Sequence, residues 1–168
     1  MHTRIHAAGL QARRWFQSHG VNLDHVQLEV VPHHFRSSCT LFPNGELVVQ
    51  VGLGLLVGGV VNPSILCWVL AHEYAHAWEY SIEYSMSVKD QARWEYLFGP
   101  RGVESTAWSM WNPWGSYDTH NHVSWYATTS PHEDFAETTA SFLMGEQQPP
   151  GSLRAEKVAF IEYLMTRY

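Results

Sequence analysis

Within His72-Glu73-Tyr74-Ala75-His76, two histidines stand four residues apart with a glutamate directly after the first. On a helix, residues four apart are separated by about 40° around the axis, so both imidazoles project from one face and can share one ion. Imidazole is the commonest metal ligand among side chains, and Glu73 at the edge of that face could take a proton from a water held beside the ion. A solvated polar turn of helix is the plainer reading. Against it stands the context: Ile65, Leu66, Val69, Leu70 and Ala75 make the surrounding helix mostly apolar, which buries the cluster. Buried charged and imidazole groups need partners, and a divalent cation is an economical one.

A catalytic zinc takes three protein ligands and keeps a further position open, so a third ligand must be found. The metzincin pattern asks for a glycine three residues after His76 and a histidine six after; those positions hold Glu79 and Ile82. The aspzincin pattern G-T-x-D is absent downstream. Ser130-Pro-His-Glu133-Asp-Phe-Ala-Glu137 instead presents two carboxylates four apart on one face of a second helix. In the gluzincin arrangement the first of such a pair ligates zinc and the second orients a ligating histidine. A rival reading makes Ser130 and Glu133 an ordinary capping box, with the Glu133 carboxylate turned back to the backbone. His120, His122 and His132 are the other ligand candidates nearby, although His132 faces about 100° away from Glu133. His2, His6, His19, His25, His33 and His34 lie outside any metal-ligand motif.

Tyr126, seven residues before Glu133, completes Y-x6-E-x3-E. With the earlier H-E-x-x-H, this resembles the lethal-factor and Pro-Pro endopeptidase group of gluzincins, and related bacterial zinc metallopeptidases with an E-D-F-A-E signature. The resemblance spans Pro63 to Met144. It implies a zincin-like fold and a metalloendopeptidase holding one catalytic zinc on His72, His76 and Glu133. It further implies Glu73 as general base, Tyr126 as donor to the oxyanion and Glu137 as the group orienting a ligand. The loop between the two helices and the N-terminal third match no pattern of the group, so substrate preference does not carry over.

These residues need elements to hold them. Apolar positions at Ile5, Ala8, Ala12, Trp15 and Phe16 predict an amphipathic helix over 3–19, ended at Gly20. His25–Val31 and Glu46–Val51 read as strands, Asn44-Gly45 as a turn, and Phe35–Phe42 as the source of a third strand. Asn62 caps and Pro63 opens the long helix of the histidines. Tyr74, Trp68 and Trp78 on it read as core. Ser87 opens a helix stopped at Gly99-Pro100; Ser130-Pro131 opens one running to about Met144; Ser152 opens a last one over 153–167. Between Arg101 and Thr129 there is no sustained period. Trp108, Trp111 and Trp114 in that loop could wall a substrate cleft or pack over a small core. The order of helix, strands and helices predicts an α+β fold with a small sheet; the resemblance implies one zincin-like domain over 1–168, with that sheet on the long helix and a C-terminal helical part.

Composition is that of a folded globular chain and narrows the partners. The chain has 168 residues, 45% hydrophobic and 15% charged, with a formal net charge of −6. Ten Lys+Arg, only two of them lysines, leave no basic footprint for a phosphate backbone, so nucleic acid is not an expected partner. Two cysteines, Cys39 and Cys67, are too few for a disulfide framework or a four-cysteine metal site. The first residues carry no secretory signal, which leaves the cytoplasm as the default compartment. Leu47 to Ala71 is free of charge, but its glycines and Asn62-Pro63 argue against a membrane span. The expected partner is a peptide or protein substrate. Alternatives are a non-catalytic zinc-stabilised binding module, and a minimal protease resembling SprT, whose third histidine and action around DNA fit this acidic chain poorly.

Overall fold

A computed structural model of the chain describes residues 2–31, 37–52, 62–99 and 120–168. The fold is mixed α+β, and the residues form two compact units, 1–81 and 82–168.

In the N-terminal unit, helix α1 (His2–Ser18) buries Ile5, Ala8, Ala12 and Phe16, the stripe its spacing predicts. Removing such a side chain from water stabilises by roughly 1.5–3 kcal/mol when it is as large as phenylalanine. Strands β1 (Gln27–Val31), β2 (Ser37–Leu41) and β3 (Leu47–Gly52) form one sheet in the order β1-β3-β2. β3 is central. It runs parallel to β1, with Leu28 opposite Val49, and antiparallel to β2, with Cys39 opposite Val49. Its position explains its burial, since Val49 and Val51 are fully enclosed while β1 and β2 are half-exposed edges. The hairpin between β2 and β3 turns at Asn44-Gly45, where Gly45 takes φ +82° and the Phe42 N–H donates to the Glu46 carbonyl.

Helix α2 (Pro63–Glu83) starts where Asn62 and Pro63 predict: the Asn62 side chain accepts from the Ser64 N–H at 3.0 Å. α1 lies against both β1 and α2. Gly9 makes this approach close, because a Cβ there would stand 2.6 Å from Leu28 Cδ2 and 3.6 Å from the Tyr74 hydroxyl. Further along, Arg13 Nε donates to the Tyr74 hydroxyl at 2.9 Å, and Phe16 meets Trp78 edge-on at 6.1 Å between ring centres. Tyr74 and Trp78 are core, as expected; Trp68 is only half-buried, and Ile65, in the first turn of α2, is exposed.

The C-terminal unit is helical: α3 (Val88–Phe98), a single 3-10 turn at Tyr126–Thr128, α4 (Pro131–Leu143) and α5 (Leu153–Arg167). Ser87, Ser130 and Ser152 each cap a helix by accepting from the N–H three residues on. Trp94, Phe98 and Phe135 pack ring to ring, with centres 5.3–6.3 Å apart, and join α3 to α4. No helix among the described residues is long and apolar enough to cross a membrane. Trp108, Trp111, Trp114, His33 and His34 lie outside the described residues.

Candidate functional site

The histidine pair belongs to the buried middle of α2. Leu70, Ala71, Tyr74, Ala75 and Ala77 are fully enclosed around it, His72 is 7% exposed and Glu73 5%. One helical turn brings the two imidazoles together: Nε2 of His72 and Nε2 of His76 are 3.1 Å apart, with ring planes at 85°. Two nitrogens each about 2.1 Å from one tetrahedral ion would be roughly 3.4 Å apart, so the pair is disposed as ligands of a single metal. The other nitrogen of His76, Nδ1, is 3.9 Å from Glu79 Oε2, a carboxylate only 2% exposed. Glu79 was noted in the sequence only as the position where a metzincin would have glycine. Its spacing of three from His76 was the available signal, because that spacing puts the two on one face.

Two neighbours shape the electrostatics beside Glu73. Burial pushes the Cys39 thiol on β2 up to about 12, and the Glu73 carboxylate adds to the same effect. Burial likewise raises Tyr74, opposed by the Arg13 guanidinium that donates to its hydroxyl. Cys39 is thus a neutral thiol at neutral pH. Both cysteines are free, so they do not pair.

The carboxylates belong to the first turns of α4 in the other unit. Ser130 is extended, at φ −160°, and its hydroxyl accepts from the Glu133 N–H at 3.1 Å, while Pro131 supplies the first helical residue. This is the backbone half of the capping box weighed above. The Glu133 carboxylate takes a different donor: the Tyr126 hydroxyl gives it a hydrogen bond at 3.2 Å to Oε1. The 3-10 turn packs along α4 and carries Tyr126, which is 45% exposed. Glu137, one turn after Glu133, is 6% exposed.

The remaining histidine candidates have other surroundings. His132 packs on the Trp94 ring at 5.3 Å, His122 Nδ1 lies 3.2 Å from Asp134 Oδ2, and the His120 carbonyl accepts from the Arg154 N–H. A residue that sequence reasoning passed over is Lys157, 1% exposed and bonded to Asp134. Burial draws its ammonium below the ordinary lysine range, and Asp134 opposes that.

Comparison of the chain with protein-family models, with curated proteins and with solved structures finds no match. The functional reading therefore stands on the chemistry of these side chains.

Proposed function

We propose that the chain is a zinc-dependent endopeptidase of the gluzincin type, with His72, His76 and Glu133 as metal ligands. One observation carries the reading: Nε2 of His72 and Nε2 of His76 stand 3.1 Å apart in the buried middle of α2, spaced to share one ion, and the sequence motif supplies Glu133 as the third ligand. That donor set suits zinc better than the hard, all-oxygen sites of calcium or magnesium.

When bound, zinc supplies Lewis acidity, which acidifies a water and polarises a peptide carbonyl. Glu73 directly follows His72 on α2 and is nearly enclosed. It accepts the proton of the attacking water and returns it to the leaving amine. The Tyr126 hydroxyl, already a donor to Glu133, is the group that would turn to the carbonyl oxygen as charge develops there. Glu137 orients a ligand.

The test is metal analysis of the purified chain beside Glu133→Ala and Glu73→Gln, followed by cleavage of a peptide library. We expect about one zinc per wild-type chain, loss of zinc in Glu133→Ala, and retained zinc in Glu73→Gln with hydrolysis lowered by about 10²–10⁴-fold. Zinc retained by Glu133→Ala, with only its helix destabilised, would return that residue to the capping box. A wild-type chain that binds zinc and cleaves nothing would point to a zinc-stabilised binding module.

A further inference from the structure

Lys157 carries an ammonium into the core of the C-terminal unit, where only 1% of the residue meets solvent. Its Nζ donates to Asp134 Oδ2 at 2.5 Å and to the Asn121 carbonyl at 2.7 Å, and it lies 5.5 Å from the centre of the Phe98 ring. A buried ion pair is weak evidence for stability, because apolar groups of similar volume often do as well in its place. The better-attested use of such a pair is to select one arrangement of the groups it joins, because leaving either charge buried and unpaired is costly.

The groups joined here come from three pieces of chain. Asp134 is in the first turn of α4, directly after Glu133. Asn121 precedes Tyr126 by five residues, and Lys157 itself is on α5. The same stretch is pinned twice more: His122 Nδ1 stands 3.2 Å from Asp134 Oδ2, and the His120 carbonyl accepts from the Arg154 N–H at 3.2 Å. Thr138 holds the other Asp134 oxygen at 3.2 Å. From this anchored stretch the chain runs into the 3-10 turn, whose Tyr126 hydroxyl donates to Glu133. The contacts therefore form a closed circuit, from Lys157 through Asp134 to Glu133, across to Tyr126, and back along the chain to Asn121 and Lys157.

We propose that Lys157 is a positioning residue, which through Asp134 and the Asn121 carbonyl fixes where the Glu133 carboxylate and the Tyr126 hydroxyl stand. The role rests on the reading of Glu133 as a metal ligand. Lys157 touches neither residue and acts on both through the chain that it ties.

Removing Lys157 alone would strand a buried carboxylate and risk unfolding the chain, so the variant to make is Lys157→Met together with Asp134→Asn in the full-length chain. Three measurements are needed: thermal melting without metal, zinc affinity by chelator competition, and the visible absorption of the cobalt-substituted protein. We expect cooperative melting to persist, zinc to bind about 10–100-fold more weakly, and the cobalt spectrum to change in position and intensity. Zinc affinity and cobalt spectrum equal to the wild type would overturn the role. So would loss of cooperative melting, because the pair would then be explained by stability alone. A wild-type chain that takes up no zinc in the same assay brings down the metal reading and this role with it, whereas equal binding by wild type and variant brings down this role alone.

Discussion

Tyr126 donates its one hydroxyl to the Glu133 carboxylate, and in the proposed peptidase it has a second acceptor, the oxygen of a scissile carbonyl. Resting on Glu133 keeps the donor aimed and desolvates it little, since the residue is 45% exposed. Tyr126→Phe should lower kcat by about 10²–10³-fold, the size of effect seen when one oxyanion donor is removed, and leave zinc occupancy at saturating metal unchanged. Steady-state kinetics on any cleaved peptide decide this. A variant with unaltered kcat would confine Tyr126 to supporting Glu133. Cys39 illustrates the opposite case of a reactive residue type without reactivity: burial and the nearby Glu73 keep its thiol protonated, so it adds no second charge beside that carboxylate.

At the scale of elements, the helix ends bear most of the local information. Gly99 closes α3 at φ +111° and ψ 169°, a region open essentially to glycine, and a Cβ there would stand 3.3 Å from Pro131 Cγ. Gly99→Ala should therefore destabilise by about 1–3 kcal/mol, measured as a fall in the urea midpoint at unchanged slope. The other end of α3 predicts a pH dependence. Hydrogen bonds from Ser87 and then Tyr168, with Arg167 close by, hold the Asp90 carboxyl below its ordinary 3.8. A carboxyl lowered by folding stabilises above its unfolded value, and that contribution is lost as pH falls through the lower folded value. Asp90→Asn should thus melt below wild type at pH 7, with the gap closing as pH drops under 3.8; a gap that is constant into acid would contradict the assignment. Why these ends were legible follows from their range. Asn62-Pro63, Ser87, Ser130-Pro131 and Ser152 act on N–H groups two or three residues away, so a linear reading contains everything they need. Ile65 was misjudged as buried for a related reason: its spacing suits a core stripe, but it lies in the first turn of α2 and faces out.

Across the whole molecule, legibility falls with sequence separation. Two strands could be read from β-branched runs and a third only located between Phe35 and Phe42, but the order β1-β3-β2, with one parallel and one antiparallel neighbour, depends on pairings that no local signal encodes. His72 and His76 were found because helical period alone brings them together, and Glu137 was found with Glu133 on the same principle. Lys157 and Asp134 are 23 residues apart, and nothing at either position announces the other, so the linear pattern gives no sign of a buried ammonium. That burial has a consequence for chemical modification. The sequence contains two lysines, and with Lys157 enclosed, Lys89 on the exposed side of α3 is the one lysine side chain the folded protein offers to an amine-reactive reagent. Acylation of the native chain should mark Lys89 and spare Lys157 until the C-terminal unit opens. Mass spectrometry of the labelled lysine pair would then report the opening of that unit at Lys157, with Lys89 as the internal reference and without any engineered probe.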